Sequence, residues 1–312
     1  MVFGFLRGGK VQVHVEWPQD RVYRPGDTIP ARVHLRMQGR PRVRKVRVGL
    51  VFWQRFRFPD WYEQEDGTVE YFMDWKEQER WVVQAELPLP QPLPKDFQKT
   101  YTGTLTIPEG VPPPHEGRIC QGRWFVKTVV DRPLRPDDVY QAPLQMVVPP
   151  PGAFQQPDFY GQSTHPDIVT MRLHLPGLEF VEGDLLEGTL SLRAHREFQA
   201  RSLRVTLDVE ERIVYKFDVM PGLTFEDEFE DIPEESRDTS RVADMELAAP
   251  FQMAAGEERR LPFRLQIPRM RKPTCQACGE GGTIRWTLQG VVDRPWKQDF
   301  RVVQEIFVYN GR

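Results

Sequence analysis

Apolar residues recur at every second position through much of the chain. In VQVHVEW they are Val11, Val13, Val15 and Trp17, and the stretches ARVHLRM, VRVGLVF, LRVTLDV, LPFRLQIP and IRWTLQGVV repeat the alternation. Period two is the spacing of a strand with one face in a core and the other in solvent. The turn sequences PGD, EGD, PEG and PG separate these runs, and glycine or proline there supplies the angles that reverse a chain. No stretch carries an apolar repeat at helical spacing with caps at both ends. The pattern predicts an all-β protein.

The same pattern occurs twice. VYRPGDTIPARVHLRM (Val22 to Met37) lies over EFVEGDLLEGTLSLRA (Glu179 to Ala194) at an offset of 157, with Gly26-Asp27 on Gly183-Asp184. KVRVGL then meets SLRVTL without a gap, GTLTIP meets FRLQIP at 160, and RWFVKTVVDRP meets RWTLQGVVDRP at 162. A period of this size is a duplicated domain and not a solenoid repeat. The expected organisation is two tandem immunoglobulin-like antiparallel β-sandwiches at residues 1–148 and 167–312, joined by a Pro-rich linker at 149–166.

Each half also carries a long excursion after its third strand. In the first half it runs from Trp53 to Arg80 and includes Trp53, Phe56, Phe58, Trp61 and Tyr62; in the second it runs from Glu211 to Met245 and is acidic. Two readings of the aromatic excursion stand open. It is a hairpin closing the sandwich, or a recognition surface in which aromatic rings offer contact area at small entropic cost.

Charge divides the chain further. The net charge is −3, which argues against a general nucleic-acid binder. Up to Gln156 there are 22 Lys and Arg against 18 Asp and Glu, and in the remainder 20 against 27. Arg42, Arg44 and Lys45 belong to the basic run Arg32 to Arg47, and the acidic surplus sits in Phe225 to Asp238. Both are solvated surfaces or docking sites; as docking sites they would attract each other, closing a cleft between the domains or pairing copies head to tail. Asn occurs once, Arg outnumbers Lys 33 to 9 and there are 29 prolines, a bias expected of a thermophile and partly of a GC-rich genome.

Chemistry is sparse. The motifs G-x-S-x-G, H-E-x-x-H, G-x-x-x-x-G-K-S/T and G-x-G-x-x-G are absent, and the six histidines stand apart. Glu211, Asp227 and Asp231 are nominal carboxylates for a metal-dependent or carbohydrate-acting enzyme on a β-sandwich, the alternative to a binding protein. Three cysteines fit a reducing compartment better than a disulfide framework. Cys275 and Cys278 form a C-x-x-C turn. They are a candidate zinc pair, with Cys120 as a third ligand if the two loops meet, or they are plain thiols or a redox pair. The beginning MVFGFLRGGK lacks the apolar core of a signal peptide, and no apolar run reaches the length of a membrane span. The expected location is the cytoplasm, with Phe3, Phe5 and Leu6 in a first strand or in peripheral membrane contact.

Two sandwiches that each open on an aromatic residue followed by a G-D turn (VYRPGD, EFVEGD), continue through VRKVRVGL, and close on GRWFVKTVVDRP or its repeat resemble the arrestin fold. The first half resembles the amino-terminal domain of α-arrestins, and the architecture is similar to that of bacterial arrestin-like sporulation-control proteins. The resemblance implies a non-enzymatic adaptor or scaffold; the expected partners are proteins, membrane-associated ones included, held on sheet edges, the aromatic excursion or an interdomain cleft, and a homo-oligomer is expected from the opposed charges of the two halves. The resemblance also implies that Asp131, Arg132, Asp293 and Arg294 join a polar cluster between the domains, although Asp and Arg at a strand end before a terminating proline have a purely local reading. The P-P-x-Y motifs of α-arrestin tails do not occur here.

Overall fold

The computed structural model describes residues 11–39, 42–63, 69–150, 162–215, 235–278 and 281–311. Every regular element among them is a β-strand. The first eight are β1 (Val11–Glu16), β2 (Thr28–Met37), β3 (Lys45–Glu63), β4 (Val69–Glu86), β5 (Gln98–Thr106), β6 (His115–Glu116), β7 (Cys120–Asp131) and β8 (Asp138–Pro143). The next six are β9 (Gln162–Ser163), β10 (Val169–His174), β11 (Glu179–Val181), β12 (Leu185–Ala194), β13 (Phe198–Ala200) and β14 (Ser202–Val214). The last six are β15 (Glu235–Ala248), β16 (Phe251–Met253), β17 (Glu258–Gln266), β18 (Cys275–Cys278), β19 (Gly282–Asp293) and β20 (Phe300–Tyr309).

The chain forms two compact units. One comprises Met1–Arg55, Glu77–Pro114 and Gly122–Val147; the other comprises Phe56–Lys76, His115–Gln121 and Val148–Arg312. Two pieces of the first repeat, 56–76 and 115–121, therefore group with the second. In the first unit the sheets run β1-β2-β5 and β4-β3-β7, with β8 also pairing β7; in the second they run β10-β12-β17 and β15-β14-β19-β20, with β11 added beyond β20. Corresponding strands of the two repeats hold corresponding places, so the duplication read in the sequence is a duplication of topology.

Alternation explains the strands. Val11, Val13 and Val15 of β1 and Ile29, Ala31, Val33, Leu35 and Met37 of β2 are buried, while Gln12, Glu16, Thr28 and Arg36 are exposed. The shared G-D turn has one geometry in both repeats. Gly26 and Gly183 adopt φ of 84° and 93°; their N–H groups donate to Ile107 and Ile267 carbonyls at 2.9 Å. Asp27 and Asp184 side chains accept the Arg24 and Val181 N–H, both at 3.0 Å. Trp124 and Trp286 are buried at equivalent places, and each indole N–H is satisfied by a carbonyl, Pro112 at 3.1 Å and Lys272 at 2.7 Å. Without such a partner a buried indole N–H would carry its full desolvation cost.

The aromatic excursion proves to be largely strand, and the described ends of the acidic one are strand as well. The aromatic one is carried by β3 and β4, 19 and 18 residues long, so it extends a hairpin instead of forming an irregular loop. The ends of the acidic one continue β14 and β15, and residues 216–234 lie outside the described residues, as do Phe3, Phe5, Leu6 and most of the linker. Across β14 and β15, Arg241 meets Asp208 at 3.1 Å, Arg204 meets Asp244 at 3.3 Å, Arg237 meets Glu210 at 3.4 Å and Arg212 pairs with Glu235, while within β15 Arg241 also meets Asp244 at 3.8 Å. Single exposed pairs contribute little, but a connected network holds better as temperature rises.

A methyl group at Gly26 or Gly183 would meet only the flexible ends of Glu109 and Arg269, so the left-handed backbone dominates the cost of replacement. Gly26→Ala and Gly183→Ala are each expected to lower stability by about 1–2 kcal/mol, read as a drop in the urea midpoint at unchanged slope.

Candidate partner-binding surface

The twin D-R-P turns are local structures. In the first unit the Arg132 N–H donates to Asp137 at 3.3 Å and its guanidinium to Asp138 at 3.0 Å, while Asp131 faces Arg44 at 3.9 Å. In the second unit the Arg294 N–H donates to Asp299 at 3.2 Å, its guanidinium binds the Gln298 carbonyl and covers the Phe300 ring at 3.7 Å, and Asp293 faces Arg201 at 3.7 Å. Asp131 and Arg132 thus find these partners inside one unit, and Asp293 and Arg294 inside the other. Arg42 and Arg44 are exposed and Lys45 is half-buried at the start of β3.

The aromatic hairpin does two different things along its length. Phe56 is 1% exposed and belongs to the core of the second unit; it offers no face to a partner. Phe58 packs on that core, edge-on to Tyr215 with centroids 5.6 Å apart and with the Lys76 ammonium 4.5 Å from its ring. Arg57 covers Trp75 at 4.8 Å. In the first unit the rings are instead half-buried and carry cations. Trp53 is approached by Arg55 at 5.9 Å and Arg123 at 6.0 Å, and donates its indole N–H to Glu77 at 3.3 Å. Arg47 covers Trp81 at 5.5 Å, and Lys127 is paired with Glu79. Trp61 and Tyr62 lie on the β3 backbone, but their side chains are outside the described residues. A guanidinium stacked on an indole keeps its N–H edge available for an anionic group while the ring fixes its orientation.

In the second unit a carboxylate is buried in the core. Glu211 falls in phase with Leu203, Val205, Leu207, Val209 and Ile213, the inward-facing set of β14, and has no exposed surface. Its Oε1 accepts the Arg118 N–H at 3.0 Å and lies 2.5 Å from the Lys272 ammonium; its Oε2 accepts the Ile119 N–H at 2.9 Å. The Cys120 thiol points at Oε2 from 3.8 Å. Burial pushes this carboxyl up, but Lys272 and the two backbone donors outweigh it and hold the group below its ordinary range. Gly117 is required beside it, because a Cβ there would stand 2.1 Å from Oε2. The Lys272 N–H is itself held by Glu182 at 2.7 Å.

The remaining chemical candidates are only partly among the described residues. Asp227 and Asp231 lie outside the described residues. Cys275 is 3% exposed in the same apolar core as Cys120, and the side chain of Cys278 is outside the described residues. Among the described residues no three His, Cys, Asp or Glu side chains gather as metal ligands. His14 and His34 stack across β1 and β2 at 5.9 Å and share Glu16, as solvent-side strand residues do.

Residues 11–150 match the family model for the arrestin (or S-antigen) N-terminal domain. The first repeat is therefore arrestin-like, and the all-β architecture of the described residues is consistent with that fold. No curated protein matches the chain.

The residues that sequence reasoning did not single out are Lys272, Gly117, Arg118, Ile119, Trp81 and Arg123; Arg47 entered it only as the end of the basic run and Cys120 only as a third metal ligand. Glu211 left a signal, a carboxylate in register with the apolar set of its strand, but its partners come from distant segments that the pattern does not connect. Removing one member of a buried pair strands the other charge, so Lys272→Met is expected to cost about 3–5 kcal/mol. The carboxyl pKa is depressed on folding. Its contribution is therefore fully present above the ordinary value of 4.5 and lost as pH falls through the lower folded value. Wild type should lose stability more steeply below that pH than Glu211→Gln does, measured by urea unfolding across the acid range.

Proposed function

We propose that this arrestin-like chain is a non-enzymatic adaptor that holds partner proteins against the Arg and Trp face of β3, β4 and β7 in its first unit. The observation that carries the reading is the double approach of Arg55 and Arg123 to the half-buried ring of Trp53, across β3 and β7, with the Arg47 and Trp81 stack across β3 and β4 of the same sheet. Trp and Arg are the residues that dominate protein interfaces, because each brings large contact area and directional donors with few rotors to freeze. The arrestin-like family supports an adaptor role. An enzymatic reading on Glu211 is disfavoured by its geometry: both carboxylate oxygens are engaged by protein donors in a dry core, with no face left for a substrate.

No helix among the described residues is long and apolar enough to cross a membrane. Membrane-associated partners would then be met at this face or at the basic residues Arg42, Arg44 and Lys45, with the adaptor in the cytoplasm.

Trp53→Ala and Arg123→Glu should each weaken capture of partners from an extract of the native host by about 2 kcal/mol, or roughly thirtyfold in Kd. The check is affinity purification with quantitative mass spectrometry, beside thermal melts showing both variants folded. Identical partner lists for wild type and both variants would remove the face from the proposal.

A further inference from the structure

Among the described residues, the two repeats end their three-stranded sheets on equivalent edge strands, β5 and β17, and treat those edges oppositely. Ile107 exchanges backbone hydrogen bonds with the 26–27 turn next to β2, and Ile267 does the same with the 183–184 turn next to β12. Both pairings run without a register shift. Antiparallel pairing alternates inward- and outward-pointing groups. The odd-numbered residues of both strands therefore bond inward, and the N–H and C=O of the even-numbered ones point to the open side. Those are Gln98, Thr100, Thr102, Thr104 and Thr106 on β5, and Glu258, Arg260, Pro262, Arg264 and Gln266 on β17.

At the offset of 160, Pro262 stands where β5 has Thr102. It removes the central outward N–H of β17, and Glu258, Arg259, Arg260 and Arg264 surround it with charge. Proline and charge are the usual devices that keep an edge from pairing. On β5 neither device is present beyond Lys99; the strand is QKTYTGTLT, exposed at seven of its nine residues. Of the edges of the larger sheets, β4 carries Lys76, Glu77, Glu79 and Arg80, and β15 carries Arg237, Arg241 and Asp244.

We propose that the open edge of β5 pairs antiparallel with β5 of a second copy about a two-fold axis at Thr102, joining two three-stranded sheets into one of six. The strand is self-complementary in that register. Thr102 faces Thr102, Thr100 faces Thr104 and Gln98 faces Thr106, so all outward donors and acceptors are matched. Lys99 faces Leu105, and no like charges oppose. Tyr101 of one copy faces Gly103 of the other, where nothing lies within 4 Å of the position a Cβ would take; an aromatic ring laid over an edge glycine is a stabilising cross-strand pair. A closed two-fold pairing consumes the edge completely and stops at the dimer.

Sedimentation equilibrium of the full chain should show a reversible dimer. Thr102→Pro, which copies Pro262 and spares every bond to β2, is expected to raise the dimer Kd by about tenfold or more; Thr102→Lys, which opposes two ammonium groups, should do the same should the proline variant misfold. In a Cys278→Ser background, Thr102→Cys should cross-link on mild oxidation, since a facing hydrogen-bonded pair has its Cα atoms about 5.5 Å apart. Thr106→Cys should not, its two copies lying about 27 Å apart along the strands. Three results would each overturn the proposal: a wild-type monomer throughout the micromolar range, which would leave the edge to an extended peptide of another protein; a dimer that survives both Thr102 variants; or cross-linking of Thr106→Cys as readily as Thr102→Cys.

Discussion

A carboxylate without water must be answered by protein donors, and Glu211 is answered from two remote stretches of chain. Lys272 reaches it from the segment between β17 and β18, and the N–H groups of Arg118 and Ile119 reach it from the turn between β6 and β7. Both segments are irregular, and neither could be placed by strand pairing alone. The charge gives each a fixed seat, and the conformation around it follows: Gly117 because no Cβ fits, Arg271 at a positive φ of 55°, and the Glu116 N–H on the Arg271 carbonyl at 2.7 Å. That is why 115–121, although part of the first repeat, is built into the second unit. A buried pair of this kind adds little net stability against an apolar replacement, but it penalises any other placement of the segments it ties.

Duplication makes the rest of the molecule a comparison with itself. The G-D turn, the buried tryptophan with its carbonyl partner and the D-R-P turn capped by an aspartate five residues on are kept in both repeats, because each satisfies a backbone or indole donor that the sandwich would otherwise strand. What differs lies on surfaces. The face of β14 and β15 carries a ladder of acid and base, whereas β3 and β4 present tryptophans with guanidinium groups stacked on them. One scaffold thus supports two surfaces of different chemistry, an ion-pair ladder and a set of rings stacked with cations.

The strands, the duplication and the arrestin-like fold were legible because each rests on a local rule repeated many times. Val11, Val13 and Val15 announce their strand within six residues, and the offset between Gly26 and Gly183 needs only two copies of a turn. The candidate site was legible in part. Trp53 and Phe58 could be read as aromatic, but the sequence does not say that Phe56, two residues before Phe58, is swallowed by the core of the second unit while Trp53 stays half-exposed. Burial there depends on which unit a given part of a long hairpin packs with, and alternation along β3 carries no record of it. Likewise the D-R-P aspartates and arginines have two readings in the sequence, a polar junction or a strand-end turn, and the bonds from the Arg132 and Arg294 N–H groups to Asp137 and Asp299, which belong to the turn, join residues whose placement the alternation does not encode.

The difference between the edges of β5 and β17 shows how duplication and specialisation interact. A sandwich whose two halves both ended on open, threonine-rich edges could pair in several ways, first repeat with first, second with second, or first with second, and chains of copies would follow from the mixed pairing. Closing one edge with Pro262 and its arginines removes every combination except one. The stability given up is small, since Pro262 bonds nothing outward and the β12 pairing is intact on its other side. Specificity here comes from what the second repeat is prevented from doing, and the first repeat is left free to do it.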